Sequence, residues 1–242
     1  DEAGNPIASA TVSGNTHGSI CEINGQWYVF YHRQTGLDEF ARQAMVAPIT
    51  VKVEDGKVVI TEGEYNSEGF ALEGLDPLEK YSAGIACWYT GPKVAIHEYP
   101  NNIFFGSYVA SGYGTEDKYE APYDIRNNTN QIVNNTAGSI VGYKYFNFDG
   151  TYGRRKLNLV LNIVPEGVGG TITVMADRPW ESQGGIEVGS IDLAADMPMS
   201  PTDVEIAVPA LARMKGKHAI YLKFTSDVPE KSICILNTLK FE

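Results

Sequence analysis

The chain of 242 residues is short of several things. It has 3 cysteines, Cys21, Cys87 and Cys234, far apart, with no Cys-x-x-Cys spacing, and its 4 histidines form no cluster at metal-ligand spacing. That excludes a zinc ribbon and a disulfide framework. Each cysteine lies in an apolar stretch, as in Ile85-Ala86-Cys87-Trp88, the setting of a buried free thiol, and cysteine usage leaves the compartment open. Positive charge is scarce: 19 Lys+Arg against 30 Asp+Glu give a net charge of -11. Phosphate binding needs a basic face, so nucleic acid is not expected as a partner. No apolar run approaches the ~18 residues of a membrane span. The opening Asp1-Glu2-Ala3-Gly4-Asn5-Pro6 is neither basic nor followed by an apolar stretch, so no signal peptide is expected there. Helical periodicity is missing throughout. Gly167-Val168-Gly169-Gly170 joins two strand-like runs and opens no helix, so it is not a phosphate loop.

What is present is β-structure. Ile20 to Ile23, Asn24-Gly25, then Gln26-Trp27-Tyr28-Val29-Phe30-Tyr31 spell a hairpin, because Asn-Gly between β-branched and aromatic runs matches the tight turn that twisted strands require. Asp55-Gly56 marks a second hairpin between Thr50–Glu54 and Lys57–Ile60, with a further strand near Phe40–Val46. Four to five strands thus fit into the first ~62 residues, a meander of the kind that forms one propeller blade. No internal repeat supplies other blades. From Thr61 to Gly91 the pattern weakens into turn-rich sequence, with Ile85–Tyr89 as a short strand. From Ser139 to Phe241 seven or eight strand-like runs, separated by turns, predict a β-sandwich. The expectation is an all-β chain in three stretches: a blade-like meander over 1–65, a connector over 66–105 and a jelly-roll sandwich over 106–242.

The stretch Gly14-Asn15-Thr16-His17-Gly18-Ser19-Ile20, with Gln26-Trp27-Tyr28-Val29-Phe30-Tyr31-His32-Arg33-Gln34, Phe40 to Ala44, Pro48-Ile49, Ser67-Glu68-Gly69 and Tyr81 to Cys87, resembles the closing blade of glycoside hydrolase family 43. Those enzymes are five-bladed β-propellers that attack arabinosides and xylosides. Val141-Gly142-Tyr143-Lys144-Tyr145-Phe146 and the strands after it are similar to a family 6 carbohydrate-binding module. The resemblance implies a role for His17 near the propeller axis, helping to hold a cation, usually calcium, or its water shell; the alternative is a hairpin-entry His bonded to backbone. Arg33, after an aromatic strand, can donate paired hydrogen bonds to sugar hydroxyls or serve as a surface partner of Asp38 or Glu39. Trp27, Tyr28, Phe30 and Tyr31 read as packing between blades.

Inverting glycosidases need two carboxyl groups ~6.5–9.5 Å apart. In the family they come from earlier blades, and Glu22, Asp38 and Glu39 match none of those positions. No catalytic residue is therefore expected in this chain, and by itself it should not hydrolyse a glycoside. The sandwich also departs from its relatives. The family's closing pattern, Asn-x-Asp-x-apolar-x-Phe, reads here Ile235-Leu236-Asn237-Thr238-Leu239-Lys240-Phe241. The sugar-contacting Asn is thus Ile235, and Asn237 stands where an Asp helps hold a structural calcium. The Trp expected before Val204 is replaced by Met197-Pro198-Met199-Ser200-Pro201-Thr202, which leaves Trp180 as the aromatic that can stack on a sugar or fold over the sandwich edge. Asn127 and Asn134 begin glycosylation sequons, and Tyr108 to Tyr123 is a Gly- and Tyr-rich stretch.

The resemblance implies the C-terminal portion of a secreted or periplasmic glycosidase acting on arabinose- and xylose-containing plant polysaccharide. Its partners would be that polysaccharide and the remaining blades, and calcium its structural cofactor. The alternatives are a non-catalytic polysaccharide-binding protein, or a sandwich that only braces the propeller.

Overall fold

A computed structural model describes residues 1–3, 17–37, 41–110 and 130–242, and all their regular structure is β apart from short 3₁₀ turns. Three strands, β1 (Ser19–Ile23), β2 (Gln26–Gln34) and β3 (Arg42–Ile49), form an antiparallel sheet in the order β1-β2-β3. Asn24 and Gly25 both have positive φ, 52° and 81°, so the turn is the tight type that the Asn-Gly pair predicts. β4 (Val51–Glu54) and β5 (Lys57–Ile60) close around Asp55-Gly56 in the same way but form a separate two-stranded sheet. The meander is therefore a three-stranded sheet plus a hairpin. Pro48 lies in β3 opposite Tyr28 and has no N–H to offer, which suits β3 to an edge. Gly18 leads into β1 because a Cβ there would run into the carbonyl oxygen of Phe30.

The sandwich begins earlier than the sequence suggests. The chain continues with β6 (Tyr81–Ser82), β7 (Trp88–Thr90), β8 (Ile96–Glu98), β9 (Asn101–Ile103), β10 (Tyr108–Ala110), β11 (Gln131–Val133), β12 (Ile140–Asn147), β13 (Asn158–Pro165), β14 (Gly170–Ala176), β15 (Ile186–Leu193), β16 (Thr202–Ala207), β17 (Lys217–Thr225) and β18 (Cys234–Phe241), of which all but β8 and β9 join the sandwich. One sheet runs β10-β11-β18-β13-β16 with β6 on β18, and the other runs β15-β14-β17-β12-β7. β6 and β7 thus place two pieces of the 66–105 stretch inside the sandwich, while residues 83–85 form a 3₁₀ turn. β8 and β9 pair only with each other.

Alternation builds the core. Leu159, Leu161 and Ile163 of β13 and Leu236, Leu239 and Phe241 of β18 share one buried cluster with Ile172 and Val174 of β14 and Ile220, Leu222 and Phe224 of β17. Each such side chain removed from water contributes about 1.5–3 kcal/mol before chain entropy is counted. Phe146, Phe148 and Phe241 meet edge-on or tilted, with Phe241 5.3 Å from Phe146 and 5.2 Å from Phe148. The second sheet is also covered on its outer face, where Ile140, Met175, Ala219 and Tyr221 form a further cluster against Trp88, Tyr145 and Trp180. A sheet buried on both faces explains the near-continuous apolar runs of β12 and β17.

Candidate functional site

The residues singled out in the sequence fall at two places: the junction between blade and sandwich, and the outer faces of the sandwich. Arg33 lies at the end of β2, with only 2% of its surface exposed. Its Nε donates to Gln43 Oε1 at 2.9 Å, and its two terminal nitrogens donate to the carbonyl oxygens of Ala86 and Gly84. The Tyr89 ring lies 5.5 Å from the guanidinium carbon. The fork that could have served sugar hydroxyls is taken up by protein carbonyls. The surface pairing with Asp38 or Glu39 involves residues outside the described ones.

His17 is exposed, and its ring lies 4.8 Å from that of His32. The alternation of β2 suggests that His32 and Arg33 use opposite faces, and the structure has Arg33 turned to the sandwich while His32 meets His17. Among the described residues no group of three or more His, Cys, Asp or Glu can hold a metal ion. Phe30 and Tyr28 face Phe70 of the connector, and Tyr31 meets Tyr65 edge-on at 5.0 Å, so residues 65–70 contact both faces of β2.

Two carboxylates, Glu64 at the end of the blade stretch and Glu68 at the start of the connector, sit on the sandwich. Glu64 accepts from Lys144 Nζ at 2.7 Å and from the Tyr145 hydroxyl at 2.9 and 3.0 Å. Burial alone would push its carboxyl up, but the Lys144 and Tyr145 hydrogen bonds and the Lys144 charge bring it below the usual glutamate range. Glu68 goes the other way: burial raises it, and Lys217 Nζ at 2.6 Å only partly offsets this. A lowered and a raised carboxyl side by side is a pattern of acid/base pairs. Here, however, each is closed onto the sandwich by its own lysine, so the pair serves the junction. Burial likewise pushes the Cys87 thiol up, as it does the hydroxyls of Tyr31, Tyr89 and Tyr143. These groups stay neutral and unreactive at ordinary pH.

Trp180 is half-buried and packs on the Ile140–Tyr221 cluster. Its carbonyl accepts from the amides of Gln183 and Gly185, and the neighbouring Ser182 and Gln183 bond to Glu2 and Asp1. Asn237 is 2% exposed, at the bulge where β18 slips against β13. Its Oδ1 accepts from Gln131 Nε2 at 2.7 Å and its Nδ2 donates to Asn162 Oδ1 at 2.8 Å; Asn162 in turn donates to Asp203 at 2.6 Å. A calcium ligand must present a free oxygen, preferably charged, to the ion. Asn237 is neutral and both its polar atoms are engaged, so the donor set there does not fit calcium. Asn134 has its amide nitrogen on the Gly106 carbonyl at 2.9 Å, whereas Asn127 and Tyr113, Tyr119 and Tyr123 lie outside the described residues.

Sequence reasoning passed over Glu64, Lys144, Gln131 and Asn162, because their partners lie between 41 and 106 positions away and no local pattern announces them.

Fold and junction define the class: a propeller-type blade joined to a β-sandwich in one all-β chain. Relatives give that pairing its context. The chain is 34% identical over 138 residues, 57% of its length, to a xylosidase/arabinosidase of Thermoclostridium stercorarium. It is 29% identical over 231 residues, 91% of its length, to an arabinoxylan arabinofuranohydrolase of Paenibacillus polymyxa. It spans only 27% and 30% of the lengths of these two relatives. A glycoside hydrolase family 43 arabinoxylan arabinofuranohydrolase from Bacillus subtilis, solved in complex with cellotetraose, superposes on 94% of the chain and 41% of its own, with a TM-score of 0.54 and 18% identity. That similarity shows the fold. No protein-family model matches the chain. The chain thus resembles the C-terminal part of a family 43-like enzyme followed by a family 6-like module, as the His17–Arg33 block and the sandwich strands indicate.

Proposed function

We propose that this chain is the closing portion of a glycosidase that cleaves arabinose- and xylose-containing plant polysaccharide by inverting hydrolysis. Residues 1–65 would be the last blade, with the connector and sandwich following. The observation that carries the reading is the order of parts: an open blade bearing His17, then a sandwich, in the layout of the Bacillus subtilis enzyme. Water would attack the anomeric carbon from the face opposite the leaving group, with the general acid and base on blades outside residues 1–242. His17, exposed at the start of β1, would contribute to the floor of that site and to any axial cation there. The polysaccharide lies outside cells, so a secreted or periplasmic location goes with this reading. The test is arabinose release from arabinoxylan: the chain alone should release none, and the same chain joined to an upstream propeller portion should release it with inversion at the anomeric carbon.

For the sandwich, the brace is favoured over the sugar-binding module. Trp180 packs on its own sheet, and Ile235 stands where a sugar-contacting Asn would be. Calorimetric titration with xylo-oligosaccharides should give no saturable heat. Binding that disappears in Trp180→Ala would restore the binding reading.

A further inference from the structure

We infer that Arg33 is a positioning residue that joins the blade to the sandwich as one cooperative unit, so that the sandwich is held at a fixed orientation and does not swivel. This inference rests on the junction alone and stands whether or not the proposed glycosidase function holds.

The blade has little means of standing by itself. Among the described residues its three strands and one hairpin form a small sheet with little core of its own: every residue of β1 is exposed, and Val53, Val58 and Ile60 of the hairpin face solvent. What β2 and β3 bury, they bury against the connector. Arg33 is the polar centre of that contact. A buried guanidinium is costly unless its donors are satisfied. Here they reach Gln43 within the blade and the carbonyls of Gly84 and Ala86 across the junction. The 3₁₀ turn carrying those carbonyls is itself fixed to the sandwich. Its Ala83 carbonyl accepts from the buried Tyr143 hydroxyl at 3.1 Å, and its Gly84 amide donates to Asn130 at 3.0 Å. A Cβ at Gly84 would strike the Asn130 backbone, so the turn sits against β11's approach with no room to slide.

A second row of bonds prevents rotation about Arg33. Gly36 N donates to the Val109 carbonyl at 2.6 Å, Asn102 N to the Leu37 carbonyl at 2.7 Å, and Asn102 Nδ2 to Gln34 Oε1 at 2.9 Å. On the other side Ser67 and Lys144 exchange hydrogen bonds, and Leu75 bridges Phe146. A hinge needs a flexible segment with few contacts across it, and this junction is tied at both ends and in the middle.

The test is amide hydrogen exchange, followed by mass spectrometry, on the 242-residue chain. In the wild type, peptides from β2 and β3 should be protected to within about tenfold of those from β13 and β18. If the blade peptides open more than about a hundredfold more readily, the inference is overturned. In Arg33→Met the blade peptides should lose at least tenfold protection while β13 and β18 keep theirs, which also shows that the variant still folds. Unchanged blade protection in that variant would overturn the role of Arg33. Arg33→Lys should restore only a minor part of the loss, because one ammonium cannot serve Gln43, Gly84 and Ala86 together. Full restoration by lysine would mean that charge alone, and not the three-way fork, does the positioning.

Discussion

Asn237 bridges two other amides, Gln131 and Asn162, across three neighbouring strands and at the bulge of β18. Removing it strips a partner from the half-buried Gln131 and Asn162 side chains, which costs about 1–3 kcal/mol. Asn237→Leu should therefore lower stability by that amount in urea unfolding. Because the amide chain satisfies this position without an ion, thermal unfolding of the wild type in EDTA and in calcium chloride should superpose. A clear rise of Tm with calcium would contradict this and show that the chain binds the ion. Legibility at this scale was uneven. Asn-Gly and Asp-Gly announced their turns because a local backbone demand selects those residues. Arg33 stood out in the sequence as a fork able to grasp a ligand, but its partners turned out to be carbonyls more than 50 positions away. Chemistry of a side chain is legible locally; what it faces is set by the fold.

β12 shows the same division among elements. Its apolar, aromatic run marked it as a strand, yet its two faces do different work. Val141, Tyr143 and Phe146 enter the main core, whereas Ile140 and Tyr145 belong to the outer cluster under the connector. Gly142 is required there: a Cβ would lie 2.6 Å from two atoms of the Tyr221 ring and 3.0 Å from Trp88 Cβ. The ring is buried and cannot retreat, so Gly142→Ala should cost about 1–3 kcal/mol, seen as a lower Tm. The connector was the least legible element, since its turn-rich sequence lacks periodicity and its order comes from ion pairs to distant strands. The pH response follows from those pairs. Glu64, with its carboxyl held below the ordinary value near 4.5, adds stability that is complete above that value and is lost as pH falls through its lower folded-state value. Glu68, raised by burial, contributes in the opposite sense: its part is present at low pH and is lost as pH rises past 4.5. Glu64→Gln should accordingly show a smaller fall in Tm between pH 6 and pH 3 than the wild type, and Glu68→Gln a larger one. Lys144 and Lys217 are the cations that face these two carboxyls.

Among the described residues, the sandwich is closed and the blade leaves apolar side chains exposed. The sandwich has a continuous core, and the junction combines aromatic packing with the hydrogen bonds of Arg33, although the Tyr31 hydroxyl and the Trp88 indole nitrogen are buried there without a partner. The blade, in contrast, presents Ile20 and Ile23 on β1 and the exposed apolar hairpin residues Val53 and Val58, 71% and 66% exposed. Apolar strands left on a surface are met in parts of larger assemblies. The chain spans under a third of its relatives' lengths, and the function proposed above places the acid and base outside residues 1–242. The all-β class and the blade-then-sandwich order were readable from turn signals and alternation. The entry of β6 and β7 into the sandwich was not, because two- and three-residue strands carry no pattern of their own.

The most direct measurement is an assay of arabinose released from arabinoxylan, run in parallel on the 242-residue chain and on the same chain joined to an upstream propeller portion, with NMR following the anomeric configuration of the released sugar. The account predicts no release by the chain alone, and release with inversion by the extended protein. Release by the chain alone would contradict it, because a complete acid/base pair would then have to lie within residues 1–242.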